Sequence, residues 1–545
     1  MVGRRIICSR MAQVRLNLLT LILTGALAVS VGSPAPKFLP DDPIQAMPAP
    51  LPITKALRHD INPTIDFLVQ SLRTEPGPAT PAGGVNTIGE VPDSEWFTNR
   101  HGWRRLSRDE LQRGPSSAQA PVPPFTVTRG KSEGITPGFV MRDSKGRLYF
   151  VKCDPIRYPE LTTGADVIVS KFLYAIGYNT PKNEIVDLNL SDLQLSGTAT
   201  IMLPGGRLRP MTSNDLKEIV KQVAHRDRQL RIMASLLIEG QSIGPFRYQG
   251  TRDDDPNDIV LHENRRDLRG LYVFSAWLNN TDAKAGNTLD TIVEENGVRF
   301  IRHYLLDFGS ALGSDGDGPK DPRLGQEFML PTPIGTLTQI LSLGLAPRAW
   351  ERAHFPELPG VGNFESQLFD PDDWKPDYPN PAFLSRLPDD DFWAAKQVMA
   401  FTNDDIRAIV ETARFSNVRS TEYMIATLAE RRNKIGRTFF SKILPLDHFR
   451  VENGDLLFDD LAVLYGFHTP RRYDVRWFRF DNINQTRDPI QGGTSVHLPA
   501  EVMQASLGSY FAAVINAPGS HLKPVSIYLR KENTAYKLVG VDRAW

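Results

Sequence analysis

Two apolar runs end on clusters of short oxygen-bearing side chains, and this pattern restricts the fold more than any other feature. The first run, LYVFSAWL, leads into LNNTDAKAGNTLD at 278–290, where Asn279, Asn280, Asp282, Lys284 and Asn287 crowd into nine positions. The second, HYLLDFGSALGS at 303–314, stops abruptly at Asp307. Burying such runs carries their terminal acids and amides to the rim of a core. A bare carboxylate there is costly unless a cation meets it. Either cluster alone is ordinary turn chemistry, since Asn and Asp cap helices and shape turns. Together they suggest a site built at the ends of two buried elements.

The composition is globular, at 41% hydrophobic and 23% charged over 545 residues, which suggests two to four domains. Lys+Arg and Asp+Glu both number 63, so no net charge draws the whole molecule to nucleic acid or to an acidic membrane. No nucleic-acid partner is expected. Residues 1–33 have the anatomy of a signal peptide or signal anchor. A basic flank precedes LNLLTLILTGALAVSV, and GSPAP follows. The run is somewhat short for a bilayer span of about 20 residues. Export to the periplasm, cell surface or medium is the expectation, with cleavage or an N-terminal membrane anchor both open. Cys8 falls in this leader and leaves Cys153 alone, so the mature chain can form no intramolecular disulfide or cysteine-rich zinc site.

Residues 34–124 carry sixteen prolines and read as an extended arm, interrupted by a helical pattern at 65–72. From 125, FTVTR, GFVMRD and RLYFVK suggest three strands around a Gly-containing loop and a tight turn. Apolar residues at three- and four-residue steps predict a helix over 162–177, stopped by Gly177. IMASLLIEG at 232–240 suits a buried strand, 263–279 a helix, and DTIVEENGVRFIRHYLLDF two strands around an ENG turn. Residues 385–445 are mostly helical. DVRWFRFDN, VSIYLRK and AYKLVGVDRAW predict short strands in a small separate β unit, sandwich-like or barrel. The expected divisions are therefore 1–33, 34–124, 125–240, 241–445 and 446–545.

Phosphoryl transfer requires a cation on the nucleotide phosphates, metal held by hard oxygen ligands and an acid that orients the attacking hydroxyl. Asp282-Ala-Lys284-Ala-Gly-Asn287 followed by Asp307-Phe308-Gly309 resembles the D-x-K-x-x-N and D-F-G loops of protein kinases. The NNTD lead-in, with no HRD, is similar to the atypical branch: HipA-type, secreted Fam20-like and phosphatidylinositol 3/4-kinase-like proteins. The resemblance covers about 125–440. It implies an α+β fold with a bilobal protein-kinase-like core, here carrying a proline-rich N-terminal arm and a C-terminal all-β domain. Residues 125–240 would form the N-lobe and 241–445 the C-lobe. It further implies ATP with Mg²⁺ or Mn²⁺, and an unknown hydroxyl acceptor, a protein of the cell envelope or a small molecule. Asp282 and Lys284 would be catalytic, and Asn287 and Asp307 would bind metal. Lys152 would pair with phosphates, and Gly134 and Gly138 would lie in the phosphate loop. Glu239 would sit at the adenine-reading hinge. The acid that fixes Lys152 would be Asp166, one methylene shorter than the usual Glu, or else Glu160. A nucleotide-free or nucleotide-binding pseudokinase and an AMP transferase fit the same pattern.

Four other motifs are declined. HRD at 225–227 has Ile232 where the kinase pattern needs Asn, and reads as a charged helix face. GKSEG at 130–134 lacks the helix a nucleophile elbow requires. GSDGDGPKDP at 313–322 has Gln326 at the position where a calcium loop needs Glu. RDDDPND at 252–258 reads as a surface loop.

Overall fold

The computed structural model describes residues 35–73, 77–117, 119–130, 136–203, 207–226, 229–330, 348–533 and 535–545. The leader, Gly134 and most of GKSEG lie outside them. Among the described residues no helix is long and apolar enough to cross a membrane.

The arm enters as extended chain and forms helix α1 (Pro63–Ser71), with Asn62 capping the amides of Thr64 and Ile65 and Pro63 at the first helical position. Trp96, Phe97 and Leu106 follow into the main core, as does Leu111 of a short helix α2 (Arg108–Arg113).

An eight-stranded sheet comes next. Strands β1 (Phe125–Gly130), β2 (Gly138–Arg142) and β3 (Leu148–Cys153) form an antiparallel meander. Helix α3 (Leu161–Ile176) separates them from β4 (Asn183–Asn189), β5 (Leu193–Leu203) and β6 (Arg207–Pro210). After helix α4 (Ser213–Lys221), β7 (His225–Arg226) and β8 (Gln229–Leu236) complete the sheet in the order β4-β8-β3-β2-β1-β5-β6, with β7 against β8. His225–Arg226 is therefore a strand edge, not the helix face expected. The two-residue alternation of β3 buries Tyr149, Val151 and Cys153 in a core shared with Leu216, Ile219 and Val220 of α4. Lys152 emerges on the opposite face, which also carries Ile185 and Met233 and packs against Val167 of α3.

The second lobe begins with the small strand β9 (Gln241–Ser242). Helix α5 (Arg266–Leu278) follows, and then the hairpin β10 (Thr288–Glu295) and β11 (Val298–Leu305). Asn296 and Gly297 both adopt positive φ at its turn, as a two-residue ENG hairpin requires. Helices α6 (Pro388–Met399), α7 (Asn403–Val410) and α8 (Val418–Phe439) pack around α5, whose thirteen residues are all buried.

RDDDPND is only partly a surface loop: Asp253 and Pro256 are exposed, but three of its charged residues are not. Arg252, Asp255 and Asp258 are each 4% exposed. They belong to a network in which Arg252 meets Asp254 and Asp290, Asp258 meets His262, and Asp290 meets His303. The arm covers it, with the Leu57 amide donating to Asp254 and the Leu57 carbonyl accepting from Arg252.

The C-terminal unit is β-rich. A hairpin of β12 (Leu446–Glu452) and β13 (Asp455–Asp460) precedes a five-stranded antiparallel sheet. That sheet runs β15-β14-β16-β17-β18, from β14 (Asp474–Phe480), β15 (Arg487–Pro489), β16 (Tyr510–Asn516), β17 (Val525–Lys531) and β18 (Tyr536–Arg543). Leu446 and Leu456 of the hairpin share a core with Trp477, Phe511 and Ile527. Phe38 of the arm packs on the other face, against Phe480, Tyr510 and Tyr528. The fold is α+β: a sheet lobe, a helical lobe, a C-terminal β unit and an arm that touches all three.

Candidate active site

Lys152 stands at the centre of the site. Its Nζ lies 2.6 Å from Asp166 Oδ2 and 2.6 Å from Asp307 Oδ1. Strand register places Gly138 directly beside it. Any Cβ at Gly138 would come 2.1 Å from the Val151 carbonyl, so only glycine lets β2 approach β3 here. Burial alone would lower the pKa of the ammonium. The two carboxylates outweigh that penalty and hold it charged, above the ordinary lysine range.

Asp166 sits on the α3 face turned toward Lys152. Its Oδ1 accepts from the Phe308 amide and from Asn183 Nδ2, both at 3.2 Å. Burial raises its pKa, and the attraction of Lys152 opposes that rise. Glu160 is turned elsewhere: it begins α3 with positive φ and accepts from the Ser416 amide at 3.0 Å. The lysine–acid pair is thus Lys152–Asp166.

The loops meet because of the β10–β11 hairpin. Thr288 pairs with Leu305, so the residues just outside the ladder, Asn287 and Leu306, are forced together, and the Leu306 amide donates to the Asn287 carbonyl at 2.9 Å. This brings Asp307 beside the loop that holds Asp282. The side chain of Asp307 is half exposed to the cleft, where the flanking apolar residues suggested burial. Phe308 is buried, and a Cβ on Gly309 would stand 2.8 Å from Thr162 Cγ2 and 3.4 Å from Asp166 Oδ2.

Asp282, Lys284 and Asn287 form the facing cluster. Lys284 Nζ is 2.5 Å from Asp282 Oδ1, and Asn287 Nδ2 donates to Asp282 Oδ2 at 2.9 Å. Burial raises the Asp282 pKa; Lys284 counteracts it and Asp377 adds to it. Lys284 is held protonated against burial by Asp282, with Asp377 and Asp307 contributing. The two clusters therefore share one electrostatic field. The loop is anchored at α5, where Asn279 ends the helix with positive φ and its side chain accepts from Trp374 Nε1 at 3.0 Å. Arg431 of α8 donates to the last carbonyls of α5, at Ala276 and Trp277.

Glu239 is exposed and lies beyond β8, which ends at Leu236. There the Leu236 amide turns to Lys182 and the Leu237 amide to Leu148, which spends the strand's pairing before 239. Gly134 lies outside the described residues.

Asp377 was not anticipated. Its amide donates to the Thr281 carbonyl at 2.9 Å, and its Oδ1 is buried without a hydrogen-bond partner among the described residues. It comes from an irregular segment 95 positions beyond Asp282, with no motif to mark it.

Among the described residues no three His, Cys, Asp or Glu side chains are grouped to hold a metal by themselves. The donors do fit a hard divalent cation whose remaining ligands are phosphate and water. Asp307 offers a half-exposed carboxylate, and the Asn287 amide nitrogen is engaged by Asp282, so its oxygen is the atom that could face a cation.

No protein-family model and no curated protein matches this sequence. Among solved structures, the chain is similar to the Helicobacter pylori proinflammatory kinase CtkA, at 12% identity and a TM-score of 0.29 over 57% of this chain and 98% of that one. It is also similar to the Golgi casein kinase with Mn/ADP bound, at 10% identity and a TM-score of 0.30 over 58% and 73%. Similarity of this degree carries no weight by itself, and the site stands on its own geometry.

Proposed function

We propose that the chain is an exported atypical kinase that transfers the γ-phosphate of ATP to a hydroxyl acceptor. The observation that carries this reading is Lys152 held between Asp166 and Asp307, across a cleft from Asp282, Lys284 and Asn287. Four roles follow from the chemistry. Lys152, fixed by Asp166, pairs with nucleotide phosphate oxygens. Lys284 neutralises charge on the transferred group. Asp282 orients the acceptor hydroxyl and takes its proton as the bond to phosphorus forms. Asp307 and Asn287 would hold Mg²⁺ or Mn²⁺, which when bound neutralises phosphate charge. Export rests on the basic, apolar and small-residue order of the first 33 residues.

Calorimetric titration with Mg-ATP, paired with transfer of labelled γ-phosphate to an envelope extract, tests the reading. Asp307→Ala is expected to abolish metal-dependent nucleotide binding. Asp282→Ala is expected to bind normally while turnover falls about 10²–10⁴-fold. Wild-type turnover in Asp282→Ala ends the assignment. Nucleotide binding with no turnover in the wild type points to a binding module, and a nucleotidyl adduct by mass spectrometry points to AMP transfer.

A further inference from the structure

A short segment, Trp374–Asp377, runs alongside the loop that carries Asp282. It is tied to that loop at both ends, by Trp374 Nε1 to Asn279 Oδ1 and by the Asp377 amide to the Thr281 carbonyl. In between, the Lys375 amide donates to the Gly325 carbonyl at 3.1 Å, which fastens the segment to the stretch beyond Gly309. Each end carries a feature that the transfer chemistry leaves unused.

At the Trp374 end is a cavity of about 260 Å³. Phe355, Phe369 and Trp374 supply aromatic wall, and Glu365, Asp370 and Asp373 supply three carboxylates. Among the described residues the one lining cation, Arg431, lies over the Phe369 ring at 3.5 Å and is spent on the carbonyls of Ala276, Trp277 and Glu365. Outside the lining, Lys375 pairs with Asp373 at 2.6 Å on the surface. An acidic mouth over aromatic walls suits a cation on an apolar stem. At the other end, Asp377 Oδ1 is buried and lacks a donor among the described residues. A buried acceptor of this kind is costly to leave unmet and calls for an N–H from outside.

Three residues of extended chain span about 10–11 Å. The Trp374 wall and Asp377 are therefore at most about three residues of a bound peptide apart, with Asp377 tied to the loop of Asp282 at Thr281. We propose that this groove is the acceptor subsite, and that the acceptor is a polypeptide with an arginine or lysine about three residues from its hydroxyl residue. The basic side chain enters the cavity, and a backbone N–H near the hydroxyl residue donates to Asp377. The identity of the ligand as an acceptor rests on the phosphotransfer reading above; the binding chemistry does not.

The test uses the full chain and fluorescein-labelled Ala/Gly peptides that contain one serine and one arginine placed one to five residues away. Matching peptides carry citrulline, which keeps the shape and removes the charge. Anisotropy without nucleotide reads binding, and labelled ATP with Mg²⁺ reads transfer. Arginine about three residues from serine is expected to bind about 10-fold tighter than citrulline. The exposed pair Asp370→Asn/Asp373→Asn is expected to bring that ratio to about one. Asp377→Asn is expected to weaken binding of the arginine and citrulline peptides alike and to raise the acceptor KM more than it lowers kcat. Equal binding of arginine and citrulline at every position overturns the subsite, as does a preference that survives the double variant. Transfer without an arginine preference also overturns the subsite and leaves the kinase standing. An arginine preference with no transfer by the wild type overturns the kinase reading and leaves the subsite standing.

Discussion

Two of the constellations of carboxylates and cations among the described residues stand in contrast, one largely sealed and one open. In the sealed one, Arg266 and Arg269 of α5 meet Asp389 and Asp390 of α6. Two guanidiniums balance two carboxylates, and the remaining Arg269 donors reach the carbonyls of Glu263 and Thr80 and the side chain of Asn264. In the open one, a single ammonium, Lys152, faces Asp166 and Asp307, and Asp307 looks into the cleft. The first pairs each guanidinium with a carboxylate and is nearly closed to solvent, with the Asp389 side chain 19% exposed; the second carries an unbalanced negative charge on a carboxylate half open to solvent. Burial by itself does not mark a functional site. Unbalanced charge beside accessible space does.

The sharpest way to separate the two is to remove one member from each. Asp390→Ala leaves the buried Arg269 guanidinium without its carboxylate and Arg266 with Asp389 alone, and is expected to lower stability by about 3–5 kcal/mol in urea denaturation. Nucleotide binding by the folded fraction should persist. Lys152→Met is expected to lower transfer about 10²–10³-fold, near 3–4 kcal/mol, with under half the stability loss of Asp390→Ala. Asp166 takes up a proton there, and Asp307 is reached by water.

A pH comparison sharpens the sealed side. Burial pushes the Asp391 carboxyl up to about 7, against the pull of Arg386 and Lys442. The folded chain then binds a proton that the unfolded chain has already released. Stability from this group is present below about pH 4 and is lost as pH rises through about 7. Between pH 5 and 8 the expected loss is about 2–3 kcal/mol, and Asp391→Asn should flatten it. The smallest effect is expected from Asp166→Asn. The amide oxygen can still accept from Phe308, but Lys152 loses its fixed partner, so transfer should fall about 10-fold with nucleotide affinity little changed. A wild-type rate in this variant would remove Asp166 from the site.

Much of this arrangement could be read from residue order, because local rules force it. A hairpin whose ends are Asn287 and Leu306 has to bring 287 and 307 together. The resemblance puts Lys152 on β3 but leaves Asp166 and Glu160 both open as its acid, and the fold selects Asp166. What escaped depends on pairing between distant segments. β8 ends at Leu236 because its amides turn to Lys182 and to β3, and no residue in IMASLLIEG announces that. The run at 252–258 has the composition of a solvated loop, and three of its charged residues are buried by distant partners, Asp290 and the arm among them. Asp377 reaches the site through one backbone bond to Thr281, which leaves no trace in spacing or polarity.

The seating of Phe38 also has a consequence for how the chain matures. Lys37 reaches Tyr528 and Asp542, partners 491 and 505 positions away, so among the earliest described residues are some that settle against the last strands. Contacts that distant close last and slow assembly. During synthesis, which runs from the N-terminus, the arm emerges first, and its Lys37–Phe38 end finds no surface until residues 525–543 have emerged and paired. The covering of 252–258 by Leu57 needs none of those strands, so the locking of the β unit is the later event, and a cut anywhere between 39 and 50 would sever the one from the other without touching the cleft.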